Sequence, residues 1–242
     1  MIKELVRGAI AKAGYDVFQR RSGYSLVSFI ENHGIDVVID VGANRGQFAR
    51  RLISQGYKGR VVSFEPIAEL AHALAAGRGS AIDWQIHPFA LGDVEGEFAF
   101  NISRSDDFSS FKEHTAESAG AFSGIAVDSR RTVPVRRLDN VDLGLSADSR
   151  VFLKLDTQGY DRSVLDGATA TLRFVRGMQI ELPIHRLYQD TWSFAEAITH
   201  LDKIGFVPSQ FWPVGTFPGD PASAIEMDCV LRRKEAAPLS LQ

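Results

Sequence analysis

Four carboxylates stand where apolar runs stop, and they are the first place to look for chemistry. Asp40 follows Val37-Val38-Ile39, Glu65 follows Val61-Val62-Ser63-Phe64, Asp156 follows Val151-Phe152-Leu153-Lys154-Leu155, and Glu181 follows Met178-Gln179-Ile180. His185 comes four residues after Glu181. Runs of this kind read as strands buried on both faces. Each acid then lies at the carboxyl end of a strand, where open parallel sheets bind their ligands. A carboxylate there can accept hydroxyl hydrogen bonds, take a proton or ligate a hard cation.

The turn after Asp40 narrows the choice. Asp40-Val41-Gly42-Ala43-Asn44-Arg45-Gly46 is a Gly-rich corner between a strand and the helix opened by Gln47-Phe48-Ala49. Glycines let a ligand approach the backbone, and helix-terminal amides supply donors. The spacing is Asp-x-Gly-x-x-x-Gly, not the Gly-x-Gly-x-x-Gly that receives a pyrophosphate. An acid before the first glycine repels pyrophosphate and attracts a cation, such as the ammonium of a methionine moiety. That favours S-adenosylmethionine over NAD. Alternatively, Asp40 only caps the turn. Glu65 lies 25 residues after Asp40 and is followed by Pro66, which stops its strand. An acid at that place, ~20 residues past the turn, accepts hydrogen bonds from ribose hydroxyls. Ala90-Leu91-Gly92-Asp93, the exit of a short strand starting at Trp84, offers a small residue and a turn for an adenine slot.

These sites need an α/β frame, and 242 residues with 45% hydrophobic content suit one sizeable α/β domain. Net charge is −3, which gives no basic field for nucleic acid. The single cysteine, Cys229, excludes an internal disulfide and a cysteine-based zinc site, and fits a reducing compartment such as the cytoplasm. No apolar run reaches the ~18–20 residues of a membrane span. Residues 1–35 read as helical, with Ile2, Leu5, Val6, Ala9, Ile10 and Ala13 forming a stripe broken by charges. That is an amphipathic helix rather than a signal peptide, suited to packing on its own domain or to forming a homodimer. Residues 103–132 are rich in serine and charge, with Phe108, Phe111 and Phe122 among them, and read as a lid or binding loop. A helix with Val164, Leu165, Ala168 and Leu172 on one face follows Asp156, and another spans Trp192 to Ile204. The segments 205–208 and 224–231 read as a closing antiparallel pair, and the tail from residue 234 as frayed.

Asp40 to Gly46, Phe64-Glu65-Pro66, Ala90-Leu91-Gly92-Asp93, and Leu153-Lys154-Leu155-Asp156-Thr157-Gln158-Gly159-Tyr160-Asp161 together resemble the FkbM family of S-adenosylmethionine-dependent methyltransferases. The resemblance implies a class I, Rossmann-like doubly wound sheet of seven strands over residues 36–233, mostly parallel with one antiparallel strand. It implies that Gly42, Asn44 and Gly46 surround the methionine part and Glu65 the ribose, with Pro66, Ala90, Leu91 and Asp93 nearby. It implies O-methylation of a sugar or natural-product hydroxyl, the acceptor being a small molecule, glycan or glycolipid. Two departures stand out. Asn44 replaces the middle glycine of the general class I turn, as the family pattern does, and Thr157-Gln158 replaces the Val-Glu of many members.

A sugar hydroxyl is a poor nucleophile while protonated, so a base or metal is expected. Three readings stay open: Asp156 as base, alone or with His185; Asp156, Glu181 and His185 around a divalent ion such as magnesium; or Asp156 and Glu181 as strand-end caps. His114 in the 103–132 segment is an outlying base. The expectation is an S-adenosylmethionine-dependent O-methyltransferase yielding S-adenosylhomocysteine. Its rivals are an NAD-linked oxidoreductase and a non-catalytic scaffold of the same fold.

Overall fold

A computed structural model describes residues 25–80 and 82–234. The stripe at residues 2–13, the dimer reading built on it and the tail beyond residue 234 lie outside the described residues.

The main sheet has seven strands. β1 (Val37–Val41), β2 (Arg60–Phe64), β3 (Trp84–His87), β7 (Val151–Leu155) and β8 (Val175–Pro183) are parallel; β10 (Asp220–Arg233) runs antiparallel to β8 and to β9 (Phe206–Phe217). The order is β3-β2-β1-β7-β8-β10-β9. Winding reverses between β1 and β7, so the crevice beyond Val41 and Leu155 is the switch point where such folds bind ligands.

Strand residues alternate between two cores. Ile39, Val62, Leu153 and Ile180 face α5 (Asp161–Asp166) and α6 (Phe194–Lys203); Val38, Val61 and Phe152 face α1 (Leu26–Asn32), α2 (Gln47–Ser54) and α3 (Ala68–Gly77). Burial on both sides is why these strands read as unbroken apolar runs. α1 lies close against the sheet: a side chain at Gly177 would meet the Phe29 ring at 2.2 Å. Ser193 and Glu196 form a capping box that starts α6.

Two expected elements differ. The helix after Asp156 ends at Asp166, and a 3₁₀ turn runs from Thr171 to Phe174. The Asp139 carboxylate accepts from the Ala170 and Thr171 amides at 2.9 and 2.8 Å and so starts that second turn. Gly167 packs against the Gly92 carbonyl, where a Cβ would fall 1.9 Å away. The 103–132 segment is also more structured than its composition suggests. It holds a 3₁₀ turn (Asp106–Phe108), α4 (Ala116–Ala121) and the start of β6 (Val127–Arg136). β6 joins β4 (Ala90–Leu91) and β5 (Gly96–Ser103) in a second sheet ordered β4-β6-β5. Residues 127–132 are exposed, so their strand carries no apolar alternation to announce it.

Candidate functional site

The chain makes its site where β1 bends into α2. Gly42 has φ 76° and sits so near β7 that a Cβ would lie 1.9 Å from the Asp156 carbonyl oxygen, so only glycine fits. Asn44 takes φ 49°, a left-handed conformation that Asn tolerates better than most residues. The Asn44 amide donates to Glu65 Oε2 at 2.7 Å and the Ile67 amide to Glu65 Oε1 at 2.8 Å. Glu65 therefore bridges the ends of β1 and β2. Burial raises its pKa to about 7, against the pull of these two amides.

A cavity of about 370 Å³ opens between this turn, the β2 and β4 exits and the end of β7. Among the expected residues, Gly42, Asn44, Glu65, Pro66, Ala90, Leu91, Asp156 and Glu181 line it. Phe108 and Phe111 form part of its wall, and Phe122 packs on the rings of Phe108 and Phe217 at 6.2 and 5.8 Å. Asn44 and Arg45 tie the Asp106–Phe108 turn down: Asn44 Nδ2 donates to Asp107 at 3.1 Å and Arg45 to Asp106 at 2.7 Å.

Other expected residues stand back from that wall. Asp40 is fully buried on the α2 face, 3.5 Å from Lys154 Nζ and 3.3 Å from Ser63 Oγ. Gly46, at φ 75°, packs under Leu74 and Trp84 and begins α2. The Asp93 carbonyl accepts from Arg137. His185 bonds Ser223 Oγ at 2.8 Å and stacks on Phe217 at 4.2 Å, because its amide and that of Ile184 both donate to the Ile225 carbonyl. His185 thus sits at the β9–β10 hairpin and does not join Asp156. Among the described residues, no group of three or more His, Cys, Asp or Glu is arranged to hold a metal ion, so Asp156, Glu181 and His185 do not assemble as ligands. His114 bonds Ser103 Oγ at 3.3 Å and packs on Tyr188.

The sequence reading missed the groups that control Asp156. Lys154 Nζ, almost wholly buried, lies 3.0 Å from Asp156 Oδ2 and donates to the Gly42 carbonyl at 3.3 Å. Burial disfavours its charge, but Asp156 and Asp40 more than reverse that and raise its pKa. Burial likewise opposes ionisation of Asp156, yet the Lys154 charge and the Gln158 and Lys154 hydrogen bonds hold its pKa low. Glu181 goes the other way: burial, then the charges of Asp156, Glu226 and Asp228, raise it well above the usual range. Burial and the same neighbourhood lift Glu226, also on the cavity wall, to about 8. The group thus favours the anion at Asp156 and the protonated form at Glu181. Gln158 links the two, its Nε2 donating to Asp156 Oδ1 at 2.8 Å and Glu181 Oε2 at 3.2 Å while Tyr188 Oη donates to its Oε1 at 2.6 Å. A lysine inside the otherwise apolar Val-Phe-Leu-Lys-Leu strand was the available signal, since a buried ammonium needs a partner.

One side-chain atom at the wall offers an unused acceptor. Asn44 Oδ1 is buried and has no hydrogen-bond partner among the described residues. An acceptor at the cavity wall beside Gly42, with the Glu65 carboxylate next to it on the same side, fits a ligand bearing an ammonium and a ribose diol.

The strand order, with winding reversed between β1 and β7 and β10 antiparallel beside the edge strand, is the class I methyltransferase fold. Residues 40–208 match the family model described as "Methyltransferase FkbM domain", and the chain belongs to that family. It is 25% identical over 170 residues to 2-O-methyltransferase NoeI of Sinorhizobium fredii, covering 68% of this chain and 70% of NoeI. It is 30% identical over 178 residues to AMB antimetabolite synthetase AmbE of Pseudomonas aeruginosa, covering 62% of this chain but 8% of AmbE. A solved methyltransferase FkbM from Methylobacillus flagellatus has a TM-score of 0.45 at 14% identity, over 82% of this chain and 43% of that one. A TehB-like SAM-dependent methyltransferase from Corynebacterium glutamicum has a TM-score of 0.41 at 12% identity, over 96% of both chains. These structural likenesses concern the fold alone.

Proposed function

We propose that this chain transfers a methyl group from S-adenosylmethionine to a hydroxyl, in a sugar-bearing small molecule, glycan or glycolipid. The reading rests on the cavity whose walls carry Glu65 and the unpartnered Asn44 Oδ1 at one side and the anionic Asp156 at the other. The family supports methyl transfer, and the name of NoeI, a 2-O-methyltransferase, favours oxygen as the acceptor atom.

S-Adenosylmethionine, when bound, supplies a methyl group activated on a sulfonium. In the chain, Glu65 would accept from the ribose hydroxyls and Asn44 Oδ1 from the ammonium. Ala90 and Leu91 would border the base. Asp156 would accept the acceptor hydroxyl's hydrogen bond, align it for in-line attack and take its proton as the new C–O bond forms and the C–S bond breaks, its electron pair leaving with the neutral thioether. Lys154 holds Asp156 in place and ionised. Glu181, neutral beside it, keeps a second negative charge away from Asp156. Phe108 and Phe111 exclude water from the same space.

Two experiments test this. Calorimetry with S-adenosylhomocysteine and, separately, NAD should show binding of the first only. Tritiated methyl transfer to a panel of hydroxyl-bearing glycosides should then label at least one. Binding of NAD with no S-adenosylhomocysteine binding would replace the reading with that of an oxidoreductase.

A further inference from the structure

Among the described residues, three spaces adjoin the Asp156–Glu181 pair. One is the 370 Å³ cavity assigned to the donor. A second, walled by Gln158, Tyr188 and Trp192, measures about 10 Å³, room for one water at most. The third, about 240 Å³, lies against α2 and is walled by Phe48, Arg51, Lys154, Gln179 and Asp228 as well as by the pair itself. In-line displacement puts the attacking oxygen and the departing sulfur on opposite sides of the methyl group. Two chambers that share the Asp156 and Glu181 carboxyls suit that requirement, and of the two spaces beside the donor cavity the third has the room for an acceptor.

We propose that this α2-side chamber receives the acceptor, and that it takes a neutral, hydroxyl-bearing ring in preference to an anionic group. The proposal rests on the methyl-transfer reading above. Its wall is polar and has bonding capacity left over. Among the described residues the Arg51 guanidinium makes no hydrogen bond or close ion pair; it lies 6.0 Å from the Phe48 ring, and its charge acts on Asp228. Gln179 Nε2 donates to Asp228 Oδ1 at 2.8 Å, which leaves Gln179 Oε1 and Asp228 Oδ2 free among the described residues. A guanidinium on the same wall as a free amide oxygen and a free carboxylate oxygen offers both donors and acceptors to hydroxyls. Charge sets the preference. With Glu181 favouring its protonated form, the carboxylates of Asp156 and Asp228 face the chamber against Lys154 and Arg51, and Lys154 is already engaged by Asp156, Asp40 and the Gly42 carbonyl. Those charges balance, so the chamber holds no surplus cation to draw a carboxylate or phosphate, whereas a neutral ring can spend its hydroxyls on the polar wall.

The test uses the full ¹⁵N-labelled chain saturated with S-adenosylhomocysteine. The probes are the methyl glycosides of mannose, galactose and glucose, with glucuronate as the anionic counterpart. At least one neutral glycoside should shift the Gln179 side-chain amide and the Arg51 Nε–H resonances, and glucuronate should not. Arg51→Ala and Asp228→Ala should each weaken that glycoside about tenfold, as losing one charge-assisted bond implies. Their affinity for S-adenosylhomocysteine, measured by calorimetry, should stay within about twofold of wild type, which also reports that they fold. Shifts confined to Glu226 and Val214 on the first cavity's wall, an equal response to glucuronate, or no response to any neutral glycoside would overturn the proposal. Failure of the wild-type chain to bind S-adenosylhomocysteine would instead refute the cofactor reading.

Discussion

Replacing Lys154 by Met should show how far the site depends on one buried charge. The ammonium neighbours three acceptors: Asp156 Oδ2 at 3.0 Å, the Gly42 carbonyl at 3.3 Å and Asp40 Oδ1 at 3.5 Å. Asp40 is wholly buried, so without the cation its carboxylate has no charged partner and only the Ser63 hydroxyl at 3.3 Å. Breaking a buried pair by removing one member costs about 3–5 kcal/mol. In a domain of this size each kcal/mol moves the melting temperature by roughly 2–4 °C, so Lys154→Met should melt about 6–20 °C lower. The assay is reversible thermal unfolding at pH 8, where Asp40 would have to ionise or remain protonated at a cost. Lys154→Met combined with Asp40→Asn removes both charges and should melt above the single variant, because the orphaned carboxylate is gone. If the single variant melted within about 2 °C of wild type, or the double variant melted no higher than the single, the pairing would not carry the stability assigned to it.

Three further outcomes follow from the same geometry. Glu65 holds its proton more tightly in the folded chain, with a pKa of about 7, than in the unfolded chain, where an ordinary value of about 4.3 applies. The folded state then binds more protons between those values, so wild type should lose up to about 3 kcal/mol relative to Glu65→Gln as pH rises from about 4.5 to 8; parallel urea-midpoint profiles would refute it. Gly42→Ala places a Cβ 1.9 Å from the Asp156 carbonyl at a φ of 76°, and should cost about 2 kcal/mol or more in urea unfolding and abolish S-adenosylhomocysteine binding; wild-type behaviour in both would refute the close approach. Gln158→Gly relieves a side chain at φ 54° while removing the amide shared by Asp156 and Glu181. Its folding stability should stay within about 1 kcal/mol of wild type, while kcat with an identified acceptor falls about tenfold or more; unchanged kcat would deny Gln158 a positioning role.

The sheet was legible because strands buried on both faces must be apolar throughout, and Val37–Val41 and Val151–Leu155 are so except at Asp40 and Lys154. Those two exceptions lie opposite each other in the parallel pairing of β1 and β7, a register that the two strands' own sequences do not fix. The expectation therefore placed Asp40 against a ligand, whereas the carboxylate spends itself on Lys154. Glu65 was easier, since Pro66 marks the strand end and sequence distance from the turn marks its place. His185 was offered as a partner for Asp156 because it follows Glu181, at the end of the neighbouring strand, by four residues, but the Ile225 carbonyl draws the backbone after Pro183 toward the β9–β10 hairpin. β6 was hidden at its start because residues 127–132 are exposed and polar, held by pairing with β5 rather than by a buried face. Gln158 stood out only as a departure from the Val-Glu of many family members: besides Asp156 two residues away, it bonds Glu181 and Tyr188, 23 and 30 positions away, and nothing near it in the chain announces those contacts.

A crystal structure of the full chain with S-adenosylhomocysteine is the most direct single measurement. The expected result is the ribose within hydrogen-bonding distance of Glu65, the amino group on Asn44 Oδ1, and the sulfur directed toward Asp156. Density for the ligand outside this cavity, or the cavity filled by side chains with the ligand absent, would contradict the assignment of the β1–α2 corner as the methyl-donor site.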